Sequence, residues 1–116
     1  WLPAEDAPIA MATLLQHDVV VRAGKDGAYF TRYTDSAELT SAHVPPLSVE
    51  AIDTNGAGDA HTGVLAACLA EGMPMERALL LANCAGALAS TTVGPATCPP
   101  RTQIEAAADT PTKQED

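Results

Sequence analysis

Ala51-Ile52-Asp53-Thr54-Asn55-Gly56-Ala57-Gly58-Asp59-Ala60-His61-Thr62-Gly63-Val64-Leu65-Ala66 is the stretch from which the fold can be read outward. Residues 49–52 read as the end of an apolar strand. Residues 53–59 form a small-residue turn, and an Ala- and Leu-rich helix follows. A strand that feeds such a turn and then a helix start makes an anion site. The first backbone N–H groups of a helix lack intrahelical partners, and the helix dipole places partial positive charge there. Gly56, Ala57 and Gly58 carry little or no side chain, so a phosphate can approach their N–H groups. Asp59 in the first turn is favoured by the dipole and, beside a phosphate, is placed to accept a proton from a hydroxyl. The same residues also read more simply, as an Asp that caps a helix after a glycine turn. No Gly-Lys-Ser/Thr follows, so this is not a P-loop, and the Gly-x-Gly-x-x-Gly dinucleotide spacing is missing.

The rest of the chain shows α/β rhythm. Residues 5–16 place Ile9, Met11, Ala12, Leu14 and Leu15 with helical spacing. Val19-Val20-Val21 reads as a strand buried on both faces of a parallel sheet. Arg22-Ala23-Gly24-Lys25-Asp26-Gly27 reads as a hairpin turn before a strand at 28–33. Residues 34–42 are a polar surface turn, with a short strand at 39–43 and His43 as an exposed turn residue. Val44-Pro45-Pro46-Leu47 is an extended linker. A helix over 57–71 is stopped by Gly72. Pro74 starts a second helix over 75–90, apolar almost all round and therefore well buried. Asn83 inside it must find a partner. Residues 101–108 form a last short helix, and 109–116 read as a disordered tail.

At 116 residues the chain is one domain at most. Its net charge of −9 argues against nucleic acid and anionic membrane surfaces as partners. Backbone N–H groups and a metal can hold phosphate without Lys or Arg, so the charge does not argue against a nucleotide. Cys68, Cys84 and Cys98 form no CxxC and no metal spacing, which fits a reducing cytoplasm. Cys68 and Cys84 lie in apolar helix patterns and read as buried small hydrophobes. No signal peptide or membrane-spanning stretch is read.

Asp53-Thr54-Asn55-Gly56-Ala57-Gly58-Asp59 resembles the D-T-x-G-A-G-D signature of the ribokinase-like (PfkB) carbohydrate kinases. Gly63 falls where that family has a Gly four residues after the Asp. Ala82-Asn83-Cys84-Ala85-Gly86-Ala87 resembles its A-N/H-A-x-A-A helix, Gly94-Pro95 its closing turn, and Pro99 the Pro that follows. Val19-Val20-Val21-Arg22-Ala23-Gly24-Lys25-Asp26-Gly27-Ala28 resembles its V-V-T-L-G-x-x-G-A segment. The likeness covers residues 19–100. It implies an α/β fold with a mainly parallel central sheet flanked by helices, of which residues 1–108 are the C-terminal nucleotide-binding and catalytic portion. The whole fold is roughly two to three times this length, about one large domain. The sugar-binding elements and lid, and the homodimer contact many relatives make through the lid, belong to the N-terminal part.

The resemblance further implies ATP-dependent phosphorylation of a hydroxymethyl group on a sugar, or on a nucleoside; the alternative from another class is a nucleotide-binding module without turnover. Asp59 would meet the substrate hydroxyl as general base, with the backbone of Gly56, Ala57 and Gly58 as anion hole and Mg2+ bridging the phosphates. Arg22, Gly24, Gly27, Gly58 and Asn83 would line the nucleotide. Asp53, Asn55, Ala89, Thr92, Gly94 and Cys98 are the candidates for a monovalent cation, K+, held through backbone oxygens, with Asp53 ordering the loop or neighbouring the ion. The chain departs from the family twice. Arg22 stands where Thr is common, and either supplies a cation to phosphate or turns to solvent or Asp26. His61 stands where Phe is usual, and is expected to pack as an aromatic.

Overall fold

A computed structural model describes residues 2–36, 38–94 and 97–110, which divide into two compact units on either side of the Pro46–Leu47 step. The first unit begins with helix α1 (Ala7–Leu15), and Pro8 in its first turn has the φ a helix start needs. Gln16 takes the left-handed conformation at φ 57° and returns its N–H to Ala12 O, ending the helix. Strands β1 (Val19–Arg22), β2 (Ala28–Tyr33) and β3 (Leu39–Val44) form a sheet in the order β1-β2-β3. Val19 pairs with Thr31 and Arg22 with Ala28, while Ala28 pairs with Val44 on the other side.

All pairing among the described residues is antiparallel. The α/β class stands, but the parallel pairing expected is not found among the described residues. The reason is local. β1 and β2 are joined by a single 3-10 turn, Gly24–Asp26, and so short a connection can only reverse the chain. Gly27 closes the turn at φ 88°, and a Cβ there would collide with the Val44 carbonyl oxygen and stand 2.9 Å from the Pro46 nitrogen. β1 is half-buried rather than buried on both faces, since it is an edge strand of this sheet. Pro8, Ala12, Ala28, Phe30 and Val44 are among the buried apolar side chains of this unit, and α1 packs on all three strands. The helix does so through Pro8 and Ala12, leaving Ile9, Met11, Leu14 and Leu15 exposed, contrary to the face read from their spacing. His43 is exposed as expected but lies in β3, where its ring stacks on Tyr29 with centroids 4.4 Å apart.

The second unit is helical. α2 (Ala57–Ala70) and α3 (Met75–Ala89) form a hairpin, and α4 (Arg101–Asp109) packs on α3. α2 ends at Gly72 (φ 83°): Gly72 N–H reaches Leu69 O at 3.0 Å and Met73 N–H reaches Cys68 O at 3.1 Å, the paired bonds of a Schellman stop. Cys68, Ala78, Leu81, Cys84, Ala85 and Ile104 form the core, with Leu47, Val64 and Leu65 against it. Burial of each Leu side chain stabilises the unit by about 1.5–3 kcal/mol. Residues 49–52 are not a strand, since no described strand lies beside them to complete a ladder. Instead Ile52 and Asp53 both donate to Ser90 O, at 2.8 and 3.0 Å. Asp109 belongs to α4 rather than to a tail, and residues 111–116 lie outside the described residues. No described helix is long and apolar enough to cross a membrane.

Candidate active site

The turn before α2 is held from two sides. Ser90 O, at the end of α3, anchors the N–H groups of Ile52 and Asp53. The Asp53 carboxylate then accepts from Asn55 N–H through Oδ1 at 2.9 Å and from Gly94 N–H through Oδ2 at 3.0 Å. These two bonds, Gly94 first and Asn55 second, hold its carboxyl below the ordinary carboxylate value. Asp53 therefore ties the signature loop to the loop after α3. Beyond it, Ala57 N–H donates to Thr54 O at 3.2 Å, closing the turn. Of the three amides expected at an anion hole, that of Ala57 is thus already shared with the turn itself.

Gly56, at φ 83°, is the N-cap of α2, and no side chain caps this helix. The simpler reading of Asp59 as a cap is therefore set aside. Asp59 lies in the first helical turn, is exposed, and receives no hydrogen bond from any described residue. It borders an open cleft of about 420 Å³ lined by Gly56, Asp59, Ala60, Gly63, Val64, Ala67, Thr97 and Cys98. One wall is the outer face of α2, where the absence of bulk at Ala60, Gly63 and Ala67 leaves the space. Thr97 and Cys98 form the other. Thr97 was not anticipated as part of the site, and its hydroxyl, donating to Ala89 O at 2.7 Å, fixes that wall to the end of α3. A Thr in a loop gives no sign in sequence of which carbonyl it will reach.

The other site residues distribute as follows. Asp53, Asn55 and Gly94 are drawn together by the Asp53 bonds. Ala89 is joined to Thr97. Thr92 and Cys98 are exposed, and the Cys98 thiol lies 3.7 Å from Pro99 O. Pro95 and Ala96, between them, lie outside the described residues. Arg22, Gly24 and Gly27 belong to the first unit, with Arg22 exposed at the end of β1. Asn83 is buried in α3, and its Oδ1 lies 2.9 Å from His61 Nε2 on α2. An amide oxygen can only accept, so the imidazole donates from Nε2. His61 is buried, and its imidazole donates to Asn83 across the hairpin.

Among the described residues no three His, Cys, Asp or Glu side chains could hold a metal together. Burial pushes the Cys68 and Cys84 thiols up, which keeps them protonated and unreactive.

The model of the pfkB family carbohydrate kinases matches residues 4–102. The bifunctional protein HldE of Acidiphilium cryptum is 38% identical over 109 residues, covering 90% of this chain and 22% of that protein. The ribokinase of Thermotoga maritima superposes with a TM-score of 0.80 at 29% identity, over 94% of this chain and 35% of that one. A provisionally assigned ribokinase II from Escherichia coli, solved with ATP and Mg2+, superposes with a TM-score of 0.73 at 35% identity, over 85% of this chain and 32% of that one. The chain thus spans about a fifth of the curated relative and about a third of each solved one. With the signature turn, the helix it opens and the loop that Asp53 ties to it all in place, the chain belongs to the pfkB family of carbohydrate kinases.

Proposed function

We propose that this chain is the phosphate-binding and catalytic portion of an ATP-dependent kinase that phosphorylates a hydroxymethyl group of a sugar. The observation that carries the reading is Asp59: a carboxylate in the first turn of α2, exposed at the mouth of the cleft and engaged neither as a cap nor in a described hydrogen bond. A base must be reachable by the hydroxyl it serves, and Asp59 is exposed.

Phosphoryl transfer depends mostly on positioning and charge stabilisation. Asp59 accepts the proton of the acceptor hydroxyl as its oxygen bonds to the γ-phosphorus and the bond to the departing ADP breaks. The backbone at Gly56, Ala57 and Gly58, at the positive end of α2, stabilises charge on the transferred group. When bound with ATP, Mg2+ would neutralise phosphate charge. Asp53 holds the loop rather than doing chemistry, since both its oxygens accept backbone N–H groups. The carbonyls of Asp53, Asn55, Ala89, Thr92, Gly94 and Cys98 are the proposed K+ set. Arg22, Gly24 and Gly27 are proposed nucleotide contacts. The ATP and Mg2+ bound by the Escherichia coli relative support ATP and Mg2+ as the cofactors in general.

The test is ATP-dependent ADP release by the intact protein across pentoses, hexoses and nucleosides, with Asp59→Asn alongside. One acceptor should stimulate release, and the variant should lose at least about 100-fold in turnover while still binding ATP. Unchanged turnover in the variant removes Asp59 as base. Stimulation by nucleosides alone moves the substrate class to nucleosides.

A further inference from the structure

His61 and Asn83 are each more than nine-tenths buried, at 7% exposure, and are joined across the α2–α3 hairpin by the 2.9 Å bond from Nε2 to Oδ1. A second contact lies beside it. A Cβ on Gly86 would stand 3.2 Å from Ala57 O and 3.7 Å from the His61 Cβ. Ala57 and His61 are four apart, on one face of the first turns of α2. Asn83 and Gly86 are three apart, on the facing side of α3. α3 therefore offers this face of α2 both a place for close approach and one directional acceptor. Gly58 and Asp59, between Ala57 and His61 in sequence, are exposed.

We infer that the His61–Asn83 bond sets the rotation of α2 about its own axis at its first turn, and so the direction in which Asp59 and the turn at 56–58 are presented. An apolar aromatic at position 61 would fill the same space but leave that rotation to packing alone. A buried hydrogen bond is directional, and its loss is felt strongly in a low-dielectric interior. His61 and Asn83 are thus positioning residues. The Asn83 carboxamide oxygen accepts from His61 inside the hairpin. The consequence for catalysis rests on the kinase reading above, whereas the geometry does not.

The experiment compares His61→Phe and His61→Gln with the parent in the full chain, reading amide hydrogen exchange and ATP–Mg2+ affinity. Gln places a donor near the position of Nε2, and Phe removes it at similar volume. In His61→Phe the Ala60 amide, which bonds Gly56 O in the first turn, should exchange about tenfold faster, the scale of one net hydrogen bond. The Met73 amide, bonded to Cys68 O at the far end, should not change. Gln should restore most of the protection. Equal acceleration at both amides, no acceleration, or a Gln variant no better than Phe would overturn the inference. First-turn loosening with unchanged ATP–Mg2+ affinity would uphold the positioning bond and instead count against phosphate binding at 56–58.

Discussion

Helices α2 and α3 draw on nearly the same alphabet of Ala, Leu, Gly and Cys, yet α3 buries nine residues and α2 three. The difference lies in which side chains carry the bulk. α3 places Leu79, Leu81 and Cys84 inward, and Ala78, Ala82 and Ala85 let its neighbours close on it. α2 turns Cys68 and His61 to α3 and leaves Thr62, Gly63, Ala66 and Ala67 outside. One helix is scaffold. The other is a wall whose small residues keep a cleft open beside Asp59. Small residues thus do opposite work on the two helices: close packing on α3, open space on α2.

The contrast is broken most directly in α3. Leu81→Ala should cost about 2–5 kcal/mol in denaturant unfolding, because the cavity is enclosed on all sides. Ala66→Ser on the exposed side of α2 should change stability by less than about 0.5 kcal/mol. If the two losses were alike, the division into scaffold and wall would fail. Gly63→Ala sharpens it further. A Cβ there meets nothing within 4 Å, so the substitution should stabilise the chain by about 0.5–1 kcal/mol through helix propensity, seen as a raised melting temperature. The same methyl group enters the cleft, so weaker ATP–Mg2+ binding alongside greater stability would mark the cleft as occupied in function.

The smallest effect concerns the tie between the two loops. The folded-state pKa of Asp53 is depressed, so as pH falls the unfolded chain takes up a proton first. Its contribution is complete above the ordinary value near 3.8 and disappears as pH falls through the lower folded value. Melting temperatures of the parent and Asp53→Asn should therefore differ at pH 7 and draw together as pH falls below the ordinary value near 3.8. A constant gap would mean that the charge of Asp53 is not what holds Gly94.

Much of this molecule can be read from local pattern. The stop at Gly72, the start at Pro74, the hairpin turn at 22–27 and the buried run of α3 follow from backbone preference and periodicity, and the structure has all four. The signature at 53–59 placed Asp59 at the head of a helix, where it is found. Other features depended on neighbours. Residues 49–52 have strand composition but no described strand to pair with, so their N–H groups go to Ser90 O. The apolar residues of α1 have helical spacing, yet it is Pro8 and Ala12 that meet the sheet.

The sequence by itself determined where the helices begin and end and which turn carries the acid, because caps, glycine turns and apolar periodicity act within a few residues. Only the tertiary structure decided that His61 would satisfy Asn83, that Asp53 would reach Gly94, and that Thr97 would complete a wall beside Asp59. Each of those joins residues far apart in the chain. A polar side chain declares that it needs a partner, but only packing determines which partner comes within 3 Å.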